Sequence, residues 1–186
     1  MNGDICVITS RRELRLWLET HHSDSKECFV RCRKGAPEDG ILSYLDVVEG
    51  ALCFGWIDST TYPDADGFRI QRISPHRPGS HWSERNKERI RRAERLGIMT
   101  DAGRFALPDM STNPDVLFPS LMERIRADPE FADALGRLAP LYVRIKLDGI
   151  ANYGSSLERF RESAIKGKTV GEWNDYSRLL SPDYDQ

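Results

Sequence analysis

The sequence predicts an α+β fold, with a small mixed sheet packed by helices over residues 1–108 and a helical part over residues 109–186. In the first part, segments with the apolar spacing of a helix alternate with segments that have the two-residue period of a strand. Residues 108–114 then concentrate Pro, Asp, Ser, Thr and Asn, which is typical of a boundary. Beyond that boundary the apolar spacing is helical throughout, so we expect two parts of different class.

The N-terminal elements follow from local signals. Ser10 and Glu13 have the spacing of a capping box, and the apolar residues after them predict a helix over residues 11–22. Residues 27–34 alternate as a half-buried strand does, with Cys28, Val30 and Cys32 on one face and Phe29, Arg31 and Arg33 on the other. A second helix is expected over residues 43–52.

The next elements surround the middle of the chain. Trp56 and Ile57 predict a short extended piece that stops at Asp58, and residues 68–73 predict another strand, closed by Pro75. A long helix is expected over residues 81–96, with Gly97 after its last turn, and a short helix capped by Thr100. The C-terminal part is predicted to form helices over residues 119–127, from 129 on, over 140–152 and over 155–166.

Charge is distributed unevenly along the 186 residues, whose formal net charge is −2. Residues 69–95 hold nine Lys and Arg against three Glu. Such a block can attract an anion, a nucleic acid or an acidic partner. The alternative is a solvated helix in which Glu84, Glu88 and Glu94 pair with the interleaved cations.

Composition limits the class of protein. The longest apolar run, residues 51–57, is far shorter than the roughly 20 residues of a spanning helix, so we expect no membrane insertion. The first residues lack the apolar stretch of a secretory leader, and the cytoplasm is the expected location. The four cysteines are therefore interpreted as reduced, small core residues.

The sequence predicts no metal site and no cofactor. His21 and His22 have no partner at ligand spacing, and the glycine-rich nucleotide loops and common hydrolase motifs are absent from the sequence.

Two stretches are candidates for a ligand-binding site, residues 51–58 and 74–86. The first is an apolar run that ends in a carboxylate, and the second places an arginine and two serines just before a predicted helix N-terminus, where free N–H groups favour anions. We expect the two stretches to be neighbours in space. The predicted ligand-binding residues are Trp56, Asp58, Arg77, Ser80, Trp82, Ser83 and Asn86. The alternative is a rigid connection in which Ser80 or Ser83 is the N-cap and Arg77 pairs with Asp58.

The same stretches resemble the YdeI/OmpD-associated family, also called bacteriocin-protection proteins. The resemblance covers about residues 10–108 and is carried by residues 51–58, by Pro75, Arg77, Ser80, Trp82, Ser83 and Asn86, and by Gly97, Met99, Thr100 and Gly103. Ser59, His76 and the segment 171–176 depart from the family pattern. The resemblance implies association with an outer-membrane porin and tolerance of bacteriocins or antimicrobial peptides, and it supplies no catalytic residue and no cofactor.

Three functions are compatible with these observations. The first is a stress or envelope-tolerance protein that binds an anionic small molecule or an acidic protein segment at this site. The second is an enzyme of unknown reaction, with Asp58 as general base or orienter and Arg77 as the electrostatic element. Nucleic-acid binding through helix 82–96 ranks last, because glutamates interrupt its basic block and no base-reading motif is present. The oligomeric state stays open.

Overall fold

The computed structural model of the chain describes residues 5, 6, 8–36 and 38–180, and it confirms the α+β class. The expectation about a leader concerns mainly residues 1–4, which lie outside the described residues. The described chain forms one four-stranded sheet in the order β1-β2-β4-β3. The strands are β1 (Ile5–Cys6), β2 (Cys28–Arg33), β3 (Trp56–Pro63) and β4 (Phe68–Pro75). Because β1 is parallel to β2 and the other pairs are antiparallel, the sheet is mixed, as predicted.

Helices make up most of the remaining described chain. Their bounds are α1 (Arg11–His21), α2 (Tyr44–Leu52), α3 (Glu84–Arg95), α4 (Asp101–Phe105), α5 (Pro114–Leu117), α6 (Pro119–Arg126), α7 (Pro129–Gly136), α8 (Pro140–Tyr153) and α9 (Leu157–Ile165). Among these helices none is long and apolar enough to cross a bilayer.

The chain divides into two compact units. The first runs up to His81 and resumes over Arg89–Pro108, and the second contains Trp82–Glu88 and Asp109–Leu180. The division after Pro108 falls where the sequence places its boundary. The assignment of Trp82–Glu88 to the second unit was not expected from the sequence.

In the first unit, helix α2 packs on the β2–β4–β3 sheet beside α1. Both helices begin as their caps predict. The Ser10 hydroxyl accepts a hydrogen bond from the amide of Glu13, and Ser43 and Asp46 form a complete capping box. The register sets Cys28 opposite Ile73 and Cys32 opposite Arg69, so the two cysteines share one face of the sheet, as predicted.

Strand β3 is longer than the sequence predicts. It does not stop at Asp58 but continues to Pro63, with an irregularity in its pairing between Asp58 and Thr61. The fully buried Gln71 of β4 explains the continuation. Its amide donates to the backbone carbonyls of Ser59 and Thr60, so polar groups that the irregularity leaves unpaired are satisfied.

Helix α3 differs from both its predicted start and its predicted environment. It begins at Glu84 rather than at His81. It is not a solvated helix, because six polar or charged side chains of its twelve residues are less than 10% exposed. These are Glu84, Asn86, Lys87, Glu88, Arg89 and Arg92.

The second unit has a helical core, as its apolar spacing predicts. Phe160 of α9 packs edge-on against Phe131 of α7 and Tyr142 of α8, with ring centroids 5.6 and 6.0 Å apart. Proline occupies the first turn of α6, α7 and α8, where its missing N–H costs no hydrogen bond. The short α5 begins at Pro114, the last residue of the predicted boundary segment, and was not predicted.

Candidate functional site

Trp56, the first predicted ligand contact, is a core residue. Its side chain is 1% exposed, and its indole N–H donates to the backbone carbonyl of His22 over 3.1 Å. Its ring meets that of Trp17 edge-on at 5.7 Å. This burial corrects the prediction that Trp56 contacts a ligand, because its surface and its only polar atom are already used within the protein.

Asp58 is half-buried on β3 and has a specific partner. Its carboxylate accepts a hydrogen bond from the Tyr44 hydroxyl of α2 at 2.8 Å. Within the described chain it forms no ion pair with Arg77, so the proposed Arg77–Asp58 pairing is not present. Asp58 therefore holds the Tyr44 side chain in one orientation.

Arg77 and Ser80 lie in an exposed turn after β4. The backbone carbonyl of Arg77 accepts hydrogen bonds from both the amide and the hydroxyl of Ser80. The amide of His76 donates to the carbonyl of Gly55, and Trp56 pairs with Pro75. Residues 55–58 and the start of the second stretch are therefore neighbours in space, whereas the proximity of residues 77–86 stays a prediction. The guanidinium of Arg77 remains exposed to solvent.

The N-terminus of α3 is occupied by groups of the protein itself. The hydroxyl of Ser83 accepts from the amide of Asn86, and a carboxylate oxygen of Asp148 accepts from the amide of Glu84 at 3.1 Å. Ser83 is thus the N-cap that the alternative interpretation required. An anion bound at this helix end would have to displace Asp148, which is 3% exposed. Trp82 and Asn86 are 5% and 9% exposed, so neither presents a free surface to a ligand.

A cluster of buried charges lies around this helix end in the second unit. Glu84 pairs with Lys87 at 2.9 Å and with Arg144 at 3.3 Å, and Arg144 also binds Glu88 at 3.0 Å. Two acids and two bases compensate one another there, which explains how they are buried. The cluster holds α3 against α8 within the second unit.

Several cations of the basic block of residues 69–95 are buried or form internal pairs. In the first unit, the fully buried Arg92 binds Glu49 of α2 at 3.2 Å. Arg89 and Lys87 are also buried, and Arg72 pairs with Glu27. Buried cations cannot reach the phosphates of a nucleic acid, so these contacts weaken that interpretation.

A small cationic pocket in the first unit is a site that the sequence does not reveal. Its cavity volume is about 50 Å³, and it is open to solvent on one side. It lies over β2, β3 and β4 beside α2, and we call it the Tyr44 pocket after the residue that links it to Asp58. Its lining consists of Cys32, Lys34, Tyr44, Thr61, Arg69 and Gln71.

The chemistry of the Tyr44 pocket favours a negative charge. Two of its six lining residues are cationic and none is acidic. Lys34 is exposed and Arg69 is half-buried, and neither forms an ion pair in the described chain. Burial, followed by the nearby charge of Asp46, raises the pKa of Cys32 to about 11, so this thiol is neutral at pH 7.

Two of the sequence motifs that carry the family resemblance, residues 51–58 and 97–103, meet at one structural contact. The backbone carbonyl of Cys53, at the end of α2, accepts hydrogen bonds from the amide and the hydroxyl of Thr100, at 3.2 and 2.6 Å. Gly103 packs directly against the same carbonyl. Gly55 has a φ of +74° and lies under Ala106, where a side chain would clash. Packing and hydrogen bonding within the protein therefore explain why these motif residues are present, without a ligand.

The comparison with protein families gives one match. The model of a domain of unknown function, DUF8412, matches residues 6–106, more than half of the chain. The chain belongs to the DUF8412 family. The DUF8412 match includes β2, β3 and β4, the Tyr44 pocket and the Arg77 turn, whereas the helices from α5 onward lie outside it. No curated protein and no solved structure matches the chain.

Proposed function

We propose that the protein binds an anionic ligand through the Tyr44 pocket. The observation that carries the proposal is that two cationic residues, Lys34 and Arg69, line the same pocket and that no acidic residue lines it. A phosphate or carboxylate group attracts both cations, and the guanidinium of Arg69 can bind such a group through two hydrogen bonds.

The remaining lining residues suit a small polar anion. Thr61 supplies a hydroxyl beside the cations, and Asp58 orients Tyr44 through the hydrogen bond described above. The cavity volume of about 50 Å³ accommodates one small anionic group better than an extended chain. An acidic protein segment would enter with a single side chain.

The role of such binding is suggested by the resemblance to YdeI/OmpD-associated proteins. On the basis of that resemblance, we propose that the protein acts in a stress or envelope-tolerance response in the cytoplasm. The support is the set of motifs around residues 51–58 and 97–103, whose structural contact at Cys53 is described above.

An enzyme that uses the same pocket is the second candidate. It is favoured by the hydrogen bond from Tyr44 to Asp58, because a carboxylate that orients a tyrosine is a common arrangement for proton transfer. Release of phosphate from a panel of phosphate esters, lost in Tyr44→Phe, would support this candidate. Binding without turnover supports a binding protein.

Thermal unfolding in the presence of anions tests the proposal. Phosphate, sulfate and small carboxylates are titrated at constant ionic strength, so that screening does not contribute. A ligand at about 100 times its Kd stabilises the native state by about 2.7 kcal/mol, which raises Tm by several degrees. We expect the rise in wild type and its loss in Lys34→Met/Arg69→Met.

Two further variants locate the effect. Arg124→Met removes an exposed cation of the second unit and should keep the full response. Arg77→Ala should also keep it if the Tyr44 pocket is the site. A response lost in Arg77→Ala and kept in the double variant would move the site to the exposed turn, and a flat wild-type response to every anion would end the proposal.

A further inference from the structure

Two cysteines that are distant in the sequence meet at the edge of the sheet. The sulfur atoms of Cys6 and Cys28 are 2.8 Å apart, and the Cys28 thiol donates a hydrogen bond to the Cys6 sulfur. The parallel pairing of β1 with β2 brings them together, since Cys6 lies opposite Val30 and Cys28 is two residues earlier on the same strand. A disulfide bond is about 2.03–2.05 Å long, so the two sulfurs need to approach by less than 1 Å to form one.

The two thiols differ in accessibility. Cys28 is 1% exposed, whereas Cys6 is half-buried. Cys6 also lines an open, mainly apolar cavity of about 360 Å³, which Ile8, Ile41, Leu42 and Phe68 help to form. A small oxidant can therefore reach Cys6 and cannot reach Cys28 directly.

We propose that Cys6 and Cys28 form a reversible intramolecular disulfide when the protein meets a low-molecular-weight disulfide. In the first step the Cys6 thiolate attacks one sulfur of the oxidant, forms a mixed disulfide and releases one thiolate of the oxidant. In the second step Cys28 loses its proton and attacks the Cys6 sulfur, which releases the second thiol. Two protein thiols and one disulfide thus become one protein disulfide and two small thiols.

The assignment of roles agrees with the environment of Cys28. The hydrogen bond to Cys6, together with burial, raises the pKa of the Cys28 thiol. Cys28 therefore stays protonated until the mixed disulfide forms on Cys6. The other two cysteines lack such a partner in the described chain: Cys32 and Cys53 are buried, and burial raises the pKa of Cys53 to about 12.

The cross-link has a mechanical consequence for the sheet. Among the described residues, strand β1 (Ile5–Cys6) lies at the edge of the sheet and pairs with β2. A disulfide from Cys6 to Cys28 would fasten this edge strand covalently to the sheet across 22 residues of sequence. Because closing a chain loop restricts the unfolded state, we expect the oxidised protein to have a Tm higher by roughly 5–10 °C.

Oxidised glutathione added to the native full-length protein tests the proposal. After alkylation and proteolysis, mass spectrometry should find the peptides of Cys6 and Cys28 joined, with the loss of two hydrogen atoms. Cys32 and Cys53 should be found as alkylated thiols. Dithiothreitol should reverse the link and the rise in Tm together.

Variants distinguish this pair from non-specific oxidation. Cys6→Ser should abolish the link and the rise in Tm, whereas the matched variant Cys53→Ser should retain both. A glutathione adduct that persists on Cys6 without resolution, a link to Cys32, or a link that forms only in denaturant would each overturn the proposal. So would the absence of any oxidation in the native protein.

Discussion

The α-carbon of Gly103 packs against the backbone carbonyl of Cys53. A Cβ at Gly103 would lie 2.7 Å from the Cys53 carbonyl carbon and closer still to its oxygen. This contact joins the end of α2 to the start of α4, where Thr100 binds the same carbonyl. It explains why glycine stands in a helix, where alanine would otherwise be favoured.

Gly103→Ala is therefore expected to destabilise the protein. The added methyl group must displace a backbone carbonyl, and such overpacking costs about 1–3 kcal/mol or more. Chemical denaturation measures the change in the free energy of unfolding. Gly136→Ala is the matched control, because a Cβ at Gly136 meets nothing within 4 Å and should leave stability unchanged or slightly higher. Equal effects of the two substitutions would contradict the contact.

The buried pair of Arg92 and Glu49 predicts a second stability effect. Arg92→Met leaves the 2% exposed carboxylate of Glu49 without its arginine, which costs about 3–5 kcal/mol for a buried pair. Arg104→Met removes an exposed arginine paired with Glu94 and should have a much smaller effect, because solvent screens exposed pairs. Urea unfolding of both variants checks the ranking. If Arg92→Met were as mild as Arg104→Met, the pair would not be stabilising the first unit.

The pair of Asp128 and Arg161 predicts the direction of a pH effect. The hydrogen bond from Arg161, followed by that from the backbone amide of Phe131, lowers the pKa of Asp128 below its usual 3.8. A lowered pKa in the folded state contributes stability that is present above the unfolded pKa and is lost as the pH falls through the folded pKa. Asp128→Asn should therefore be less stable than wild type at pH 7, with a difference that shrinks below about pH 3.8.

The matched control for this prediction is Asp39→Asn, which changes an exposed carboxylate in a loop. It should leave the free energy of unfolding nearly unchanged at both pH values. A difference between wild type and Asp128→Asn that stays constant down to pH 3 would show that the ion pair does not produce it.

Nucleic-acid binding should be weak and sensitive to salt. The cations of Lys87 and Arg92 are buried in ion pairs and cannot contribute contacts to phosphates. Fluorescence anisotropy of labelled duplex DNA and single-stranded RNA at about 150 mM salt measures the affinity. Sequence-specific binding with a Kd below roughly 10⁻⁸ M would reverse the ranking of the three functions.

Local signals predicted the elements well. The cap at Ser10 and the glycine after α3 depend on neighbouring residues alone, and the structure places α1 and the end of α3 where these signals indicate. The extension of β3 past Asp58 could not be predicted in this way. It depends on the amide of Gln71, which reaches the irregular stretch from another strand.

The candidate site was predicted less completely because contacts between residues distant in the sequence also form it. Lys34 and Arg69 are 35 positions apart, and only the register of Cys32 opposite Arg69 brings them to one pocket. Trp56 has the sequence neighbourhood of a binding residue, but its hydrogen bond to His22 is a tertiary contact. The burial of α3 also depends on partners from other elements, such as Glu49 and Arg144.

A left-handed turn near the end of the described chain was also not predicted. Asp175, Tyr176 and Ser177 have φ values of +53°, +56° and +69°, which non-glycine residues rarely adopt in succession. The side chains of Glu172 and Asn174 hold the turn by accepting hydrogen bonds from the amides of Tyr176 and Ser177. No propensity of the single residues indicates this conformation.

The most direct test of anion binding at the Tyr44 pocket is a phosphate titration followed by two-dimensional ¹⁵N–¹H NMR at constant ionic strength. We expect saturable shifts of the backbone amides of Lys34, Thr61, Arg69 and Gln71, because these residues line the pocket. In Lys34→Met/Arg69→Met the shifts should disappear. Shifts confined to residues 77–80, or no saturable shift anywhere in the spectrum, would contradict the account.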